Sequence, residues 1–221
     1  VCQPEPGDLL ELSLRLAHSI RNPLATINSS AQLMQRLKLE AEAAQPYLRG
    51  MLDEVRRING VLQRLEDFAR LEAGTMITVD LRDIVSQSID QASESARNGR
   101  VILRAVTMER PARIETDQRL LKRAVRELID NAHAASEPDS VVTIGVESHA
   151  GGGTTIYVAD EGSGIPQTIA PRIMVPFFST HRERIGLGLN IVQRTSAMLG
   201  AHVTWKNGPE SGVRFSIVFP G

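Results

Sequence analysis

The stretch Asp8–Met34, DLLELSLRLAHSIRNPLATINSSAQLM, decides how the first third of this chain folds. Leu10, Ser13, Ala17, Ile20, Leu24, Ile27, Ala31 and Met34 are separated alternately by three and four residues, which lines them up as one stripe along a helix. After AEAAQPY at 41–47, read as the connection, the same rhythm returns in Leu48, Met51, Val55, Ile58, Leu62, Leu65 and Ala69, and Gly74 ends it. Two such arms predict a helical hairpin over residues 8–74. A lone hairpin with a continuous seam on each arm cannot cover its own apolar surface. The reading therefore predicts a homodimer, a four-helix bundle with helices about 20° apart.

Beyond Gly74 the period of the pattern changes repeatedly. A short extended piece near Ile77–Val79 leads to a helix capped by Asp80, with Leu81, Ile84, Val85, Ile89, Ala92 and Ala96 on one face. Val101–Val106 and Arg113–Glu115 read as strands. Asp117 caps a second helix that turns Leu121, Ala124, Leu128, Ala132 and Ala135 inward. Val142, Ile144 and Val146 alternate, the triple glycine at 151–153 turns the chain, and Thr155–Ala159 run back. A third helix from about Gly188 stops at Gly200, and His202–Lys206 pairs with Val213–Phe219. This order predicts an α+β chain: the hairpin at 8–74, then an α/β sandwich at 75–221 whose mixed, largely antiparallel sheet carries its helices on one face.

Composition narrows the function. The chain has 221 residues, 42% of them hydrophobic, with 25 Lys and Arg against 26 Asp and Glu. That near-neutral balance gives no electrostatic case for nucleic acid, and no apolar run approaches the roughly 18 residues that a bilayer span needs, so neither partner is expected. A single cysteine, Cys2, makes no internal disulfide and suits a reducing cytoplasm. Residues 1–7, broken by Pro and Gly, are expected to fray. A start at Val1 with no initiator Met suggests a piece of a longer protein, whose other part could be membrane-anchored.

Four groups of residues carry candidate chemistry. His18 lies one residue past the seam position Ala17, on the flank of the helix and open to solvent. Pro23, five residues later, costs its helix one hydrogen bond and about 3 kcal/mol, which structure alone does not require. A bend below an exposed imidazole suits a nucleophile, with Asn22 one turn along on the same face. Glu127 and Asn131, four apart on the second sandwich helix, can manage a hard cation and its water. Asp160-Glu-Gly162-Ser-Gly164-Ile directly follows a strand, so a carboxylate able to accept from an exocyclic amine stands beside backbone that a flat ligand can approach. Gly186-Leu187-Gly188-Leu189 opens a helix whose free amides suit a phosphate. Each alone is an ordinary turn or cap; the set in this order is specific. None of the three lysines, Lys38, Lys122 and Lys206, belongs to a P-loop, and neither the dinucleotide fingerprint nor HExxH occurs. His133, His149 and His202 read as ordinary surface or sheet residues, and Trp205 as packing.

These residues resemble the cytoplasmic core of two-component sensor histidine kinases, from about Asp8 to the C-terminus. His18-Ser-Ile-Arg-Asn-Pro-Leu24 is similar to the H box, Glu127–Ala132 to the N box, Asp160–Gly164 to the first glycine box, Pro176-Phe-Phe178 to the F box, and Gly186–Leu189 to the second glycine box. The resemblance implies ATP as phosphodonor and Mg2+ as its metal. His18 would be the phosphoacceptor, Asp160 the adenine-recognising acid, Asn131 a magnesium ligand, and Glu127 a support for the metal or the attacking geometry. Gly162, Gly164, Thr180, Arg182, Gly186, Leu187 and Gly188 would line the nucleotide, with Ser179–Ile185 as a short lid of the nitrogen-regulation type. It further implies transfer of the phosphoryl group to an aspartate of a response-regulator receiver domain docked near His18. A phosphatase-dominant protein, with Asn22 positioning the attacking water, and a non-catalytic nucleotide-binding dimeric adaptor are the alternatives.

Two departures bear on rate. Where relatives carry Glu or Asp next to the phosphoacceptor, this chain has Ser19, and no acid lies between Glu11 and Glu40 to replace it. Autophosphorylation is expected to be slow rather than absent, since general-base help is worth about 10²- to 10⁴-fold. The lid has His181 where relatives often have Lys, leaving Arg182 or Arg184 for the phosphates.

Overall fold

The computed structural model describes residues 6–38, 40–99, 101–106, 110–149, 152–180, 184, 186–209 and 211–221. They belong to two compact units: one runs to Arg70 and includes Pro176–Leu187, the other comprises Leu71–Val175 and Gly188–Gly221.

The first unit is built on α1 (Pro6–Leu37) and α2 (Ala41–Ala69). Pro23 is buried and α1 continues through it. The AEAAQPY connection is corrected: those residues are the first two turns of α2, with Pro46 inside the helix, and the turn is at Lys38–Glu40. Three alanines in this segment favour helix, Ala44 is buried at 5% exposure, and its amide donates to the Glu40 carbonyl at 2.9 Å. Against that, Pro46 sits near the helix start and removes a single hydrogen bond.

The two heptad stripes divide in a regular way. Ile20, Ile27 and Met34 on α1, and Met51, Ile58 and Leu65 on α2, are half-buried, and Pro23, Ala44 and Val61 add to the same interior. The alternate positions Ala17, Leu24 and Ala31, and Leu48, Val55, Leu62 and Ala69, are exposed. One heptad position thus faces the neighbouring helix and the other faces away. On α2, Leu48, Leu52, Val55 and Leu62, which share one face by their spacing, are 41–55% exposed, and on α1 Leu14, Leu24, Leu33 and Leu37 are 39–57% exposed.

The second unit begins with β1 (Ile77–Asp80) and α3 (Leu81–Gly99), followed by β2 (Ile102–Val106), β3 (Arg113–Thr116) and α4 (Gln118–Ala135). Then come β4 (Val141–Ser148), β5 (Thr154–Ala159), α5 (Gly188–Met198), β6 (His202–Asn207) and β7 (Val213–Phe219). β1 and β3 pair antiparallel, and the main sheet runs β2-β4-β5-β7-β6, antiparallel except for the β2–β4 pair. Asp80 caps α3 through the Arg82 amide and also holds the Arg82 guanidinium, which keeps its carboxyl below the ordinary range. Asp117 caps α4, accepting from the amides of Arg119 and Leu120, while its other oxygen accepts from Gly74 N–H at 2.7 Å and so fixes the chain entering this unit.

The core lies between α3, α4 and α5 and one sheet face. It holds Leu81, Ile84, Leu120, Leu121, Leu128, Ile144, Ile156, Ile191 and Ile217, each at most 1% exposed. Ala135 is corrected: as the last residue of α4 it is exposed, and the buried stripe ends at Ala132. The other sheet face is polar. There the Arg214 guanidinium stacks 3.6 Å from the Tyr157 ring centroid and pairs with Glu147, and His149 Nε2 is 2.7 Å from Thr155 Oγ1. Trp205 packs on Phe215, ring centroids 6.5 Å apart.

Candidate active site

Asp160 stands where β5 ends, held there because its own amide donates to the Val213 carbonyl at 2.9 Å. Its Oδ1 accepts from the amides of Gly162 at 2.9 Å and Val213 at 3.2 Å. Among the described residues Oδ2 accepts no hydrogen bond, so one oxygen is spent on orientation and the other is available to a ligand. Burial pushes the carboxyl above its ordinary value, and the two amide donors pull it part of the way back. A desolvated, oriented acceptor of this kind can read an amine.

Two glycines make that geometry accessible. A Cβ on Gly162 would fall onto the Ala135 carbonyl oxygen, so only glycine lets this loop lie against the end of α4. Gly212, with φ +76°, has no room for a Cβ beside the Asp160 carbonyl, and its amide donates to Gly162 O at 2.6 Å.

One and two turns back along α4 from that contact are Asn131 and Glu127, both half-buried. Gly188, the first residue of α5, packs against them: a Cβ there would be 3.0 Å from Glu127 Oε2 and 3.3 Å from the side-chain amide atoms of Asn131. The carboxylate, the amide and the N-terminal end of an eleven-residue helix therefore meet at one place. A carboxylate plus an amide oxygen is a donor set that suits a hard divalent ion completed by water and phosphate oxygens. Among the described residues no three His, Cys, Asp or Glu side chains gather at metal-binding distance. These two groups are where the sequence singled them out, and the Gly162–Ala135 contact joins them.

In the other unit, His18 and Asn22 are exposed on α1 one turn apart. Ser19, half-buried, donates its hydroxyl to the Leu16 carbonyl at 2.8 Å, which commits its proton to its own helix. The F box and its neighbours belong to the same unit. Phe177 is buried with φ 60°, a left-handed conformation that an aromatic residue adopts only under constraint, and its amide donates to Gly186 O at 2.9 Å. Gly186, at φ +74°, has the Phe178 carbonyl where a Cβ would stand, and Leu187 is fully buried. Arg182 and His181 lie outside the described residues.

Three residues at the site escaped the sequence reading. Asn190, buried on α5, donates to the Met174 carbonyl at 2.7 Å; Val213 supplies an amide to Asp160; and Asn207 is bonded to Ile165. The Asn207-Gly208 pair is a turn signal that could have drawn attention to the last of these.

Residues 8–74 match the His Kinase A (phospho-acceptor) domain, and residues 116–221 match the histidine kinase-, DNA gyrase B- and HSP90-like ATPase domain. The chain belongs to the sensor histidine kinases. The sensor histidine kinase ZraS of Klebsiella oxytoca is 30% identical over 210 residues, covering 95% of this chain and 45% of the relative. AtoS of Escherichia coli (strain K12), a signal transduction histidine-protein kinase, is 27% identical over 210 residues, covering 95% and 34%. The chain thus spans less than half the length of these curated relatives. Among solved structures, full-length ShkA in complex with AMPPNP has a TM-score of 0.65 at 26% identity, over 95% of this chain and 45% of that one. The fold is also that of histidine kinase ThkA, solved with the response regulator protein TrrA, at a TM-score of 0.77 and 22% identity over 95% of this chain and 61% of that one. Sensor kinase cores place a phosphoacceptor hairpin before an ATPase domain, and both are present here. Among the described residues, no helix is long and apolar enough to cross a membrane.

Proposed function

We propose that this chain uses ATP and Mg2+ to phosphorylate itself on His18 and then donates the phosphoryl group to an aspartate of a response-regulator receiver domain. The observation that carries the reading is Asp160, with Oδ1 fixed by two backbone amides and Oδ2 free to accept from the adenine amine, in a chain whose hairpin exposes a histidine. The hairpin, residues 8–74, would be the phosphotransfer and dimerisation domain and residues 75–221 the catalytic domain. Asn131 and Glu127 would hold the magnesium ion, which supplies neutralisation of phosphate charge. Gly162, Gly164, Gly186, Leu187 and Gly188 would give backbone access to the nucleotide, and Thr180, Arg182 or Arg184 would approach its phosphates from the lid.

In the transfer itself an imidazole nitrogen of His18 attacks the γ-phosphorus. The N–P bond forms as the bond to the β,γ-bridging oxygen breaks; ADP leaves, and the imidazole proton passes to solvent. With Ser19 hydrogen-bonded to Leu16 and no acid beside the ring, the proton has no built acceptor on this helix, which supports a slow reaction. The exposed apolar stripe Leu48, Leu52, Val55 and Leu62 on α2 supports a homodimer.

Incubation of the protein and its His18→Gln variant with γ-labelled ATP and Mg2+ tests the reading. Label that is acid-labile, alkali-stable and missing from the variant supports it; label that persists in the variant refutes it. The Ser19 geometry also favours a second reading, a phosphatase-dominant protein in which Asn22 positions water. That reading expects little label on His18 but rapid loss of phosphate from a phosphorylated receiver domain, and a non-catalytic adaptor would do neither.

A further inference from the structure

The loop that carries Asp160 is tied down from outside itself. At its far end, the Asn207 side chain makes two hydrogen bonds to one residue of the loop: Ile165 N–H donates to Asn207 Oδ1 at 2.9 Å, and Asn207 Nδ2 donates to the Ile165 carbonyl at 3.0 Å. This satisfies both backbone groups of Ile165 the way a neighbouring strand would, across 42 residues of sequence and without a strand. Gly164, at φ +76°, brings the loop close enough for this, since a Cβ there would be 3.4 Å from Asn207 Oδ1. At the near end, Gly212 N–H donates to Gly162 O, Val213 N–H donates to Asp160 Oδ1, and Asp160 N–H donates to Val213 O. The two anchors are the end of β6 and the start of β7. They are themselves linked, because Gly208 N–H donates to Gly212 O at 3.0 Å. The β6–β7 connection therefore grips the Asp160 loop at both ends.

We infer that Asn207 is a positioning residue for adenine recognition, holding Gly162–Ile165 so that Asp160 Oδ2 meets the exocyclic amine of the nucleotide. The inference rests on the proposed ATP reading. It assigns selectivity between purines to a residue that acts through the loop it holds. Guanine presents a carbonyl oxygen where adenine presents its amine, so a well-held carboxylate accepts one and repels the other, and a loop free to move discriminates less.

The test uses the full chain with Asn207→Ala and Asn207→Asp, the latter keeping the acceptor for Ile165 N–H. ATP and GTP binding are measured by calorimetry with Mg2+, and amide exchange of Ile165 by NMR. Asn207→Ala should weaken ATP binding about tenfold, leave GTP binding unchanged and so lower the ATP-to-GTP preference by the same factor. Exchange at Ile165 should accelerate, and Asn207→Asp should fall between the parent and Asn207→Ala in both readouts. Parental ATP binding and preference in Asn207→Ala would overturn the inference and leave the ATP reading standing. Equal loss of ATP and GTP binding with a lowered melting temperature would also overturn it, by showing a merely structural role. A parent chain that binds no ATP would refute the functional reading, and this inference with it.

Discussion

Replacing Asp160 by Asn separates what this carboxylate does for the ligand from what it costs the fold. Asn keeps an Oδ1 to accept from the Gly162 and Val213 amides, so neither donor is orphaned. In place of Oδ2 it presents an NH2 group, which faces the adenine amine donor to donor. A hydrogen bond to a charged acceptor is worth about 1.5–3 kcal/mol, and at about 1.4 kcal/mol per decade its loss predicts ATP binding roughly 10- to 150-fold weaker. Stability should move the other way. Burial raises the Asp160 carboxyl above its ordinary value of 3.8, so ionisation is less favourable in the folded chain than in the unfolded one. The stabilising contribution is complete below the unfolded value and is lost as pH rises through the raised folded value. At pH 7.5 the parent therefore carries a penalty that Asn does not, and the variant should melt at the same temperature or higher, the gap closing below about pH 3.8. Calorimetric ATP titration and melting curves at both pH values measure the two effects. A variant that binds ATP like the parent, or that melts lower at pH 7.5, would refute the reasoning.

Three further outcomes follow from the geometry. Ser19→Glu removes the hydroxyl bond to Leu16 and sets an acid beside His18; it should raise the rate of phosphohistidine formation by about 10²-fold, the lower end of general-base help, and a rate no higher than the parent's would sink that account. Gly188→Ala places a methyl 3.0 Å from Glu127 Oε2, which must give by a few tenths of an ångström. Since a 1 Å misplacement costs about 10²-fold, the variant should autophosphorylate about tenfold more slowly with its melting temperature little changed, as a single-turnover assay would read. Leu62→Glu puts a charge on the exposed leucine face and, because a two-fold interface counts it twice, should weaken dimerisation by at least about 3 kcal/mol; sedimentation showing an intact dimer at micromolar concentration would exclude this face as the interface.

By itself the sequence determined the local elements, because their causes are local. Heptad spacing set α1 and most of α2, Asp80 and Asp117 marked two helix starts through their own side chains, and alternation in Val142–Val146 marked a strand. Glycine and carboxylate types at fixed offsets single out Glu127, Asn131, Asp160–Gly164 and Gly186–Leu189 as candidates for the same reason, while Pro176–Phe178 follows only from the resemblance. The limits of α2 were not legible, since a proline near a helix start reads as a break until the burial of Ala44 outweighs it. Nor could spacing say which half of each stripe would face the neighbouring helix, because a heptad repeat is the same for both. Tertiary structure alone decided how the site is held. Gly162 against Ala135, Gly188 against Glu127 and Asn131, and Asn207 on Ile165 join positions between 27 and 61 residues apart in the chain, where no local pattern can record the pairing. A backbone group that has no partner in its own element must find one wherever the fold brings it, and here the C-terminal strand pair supplies it.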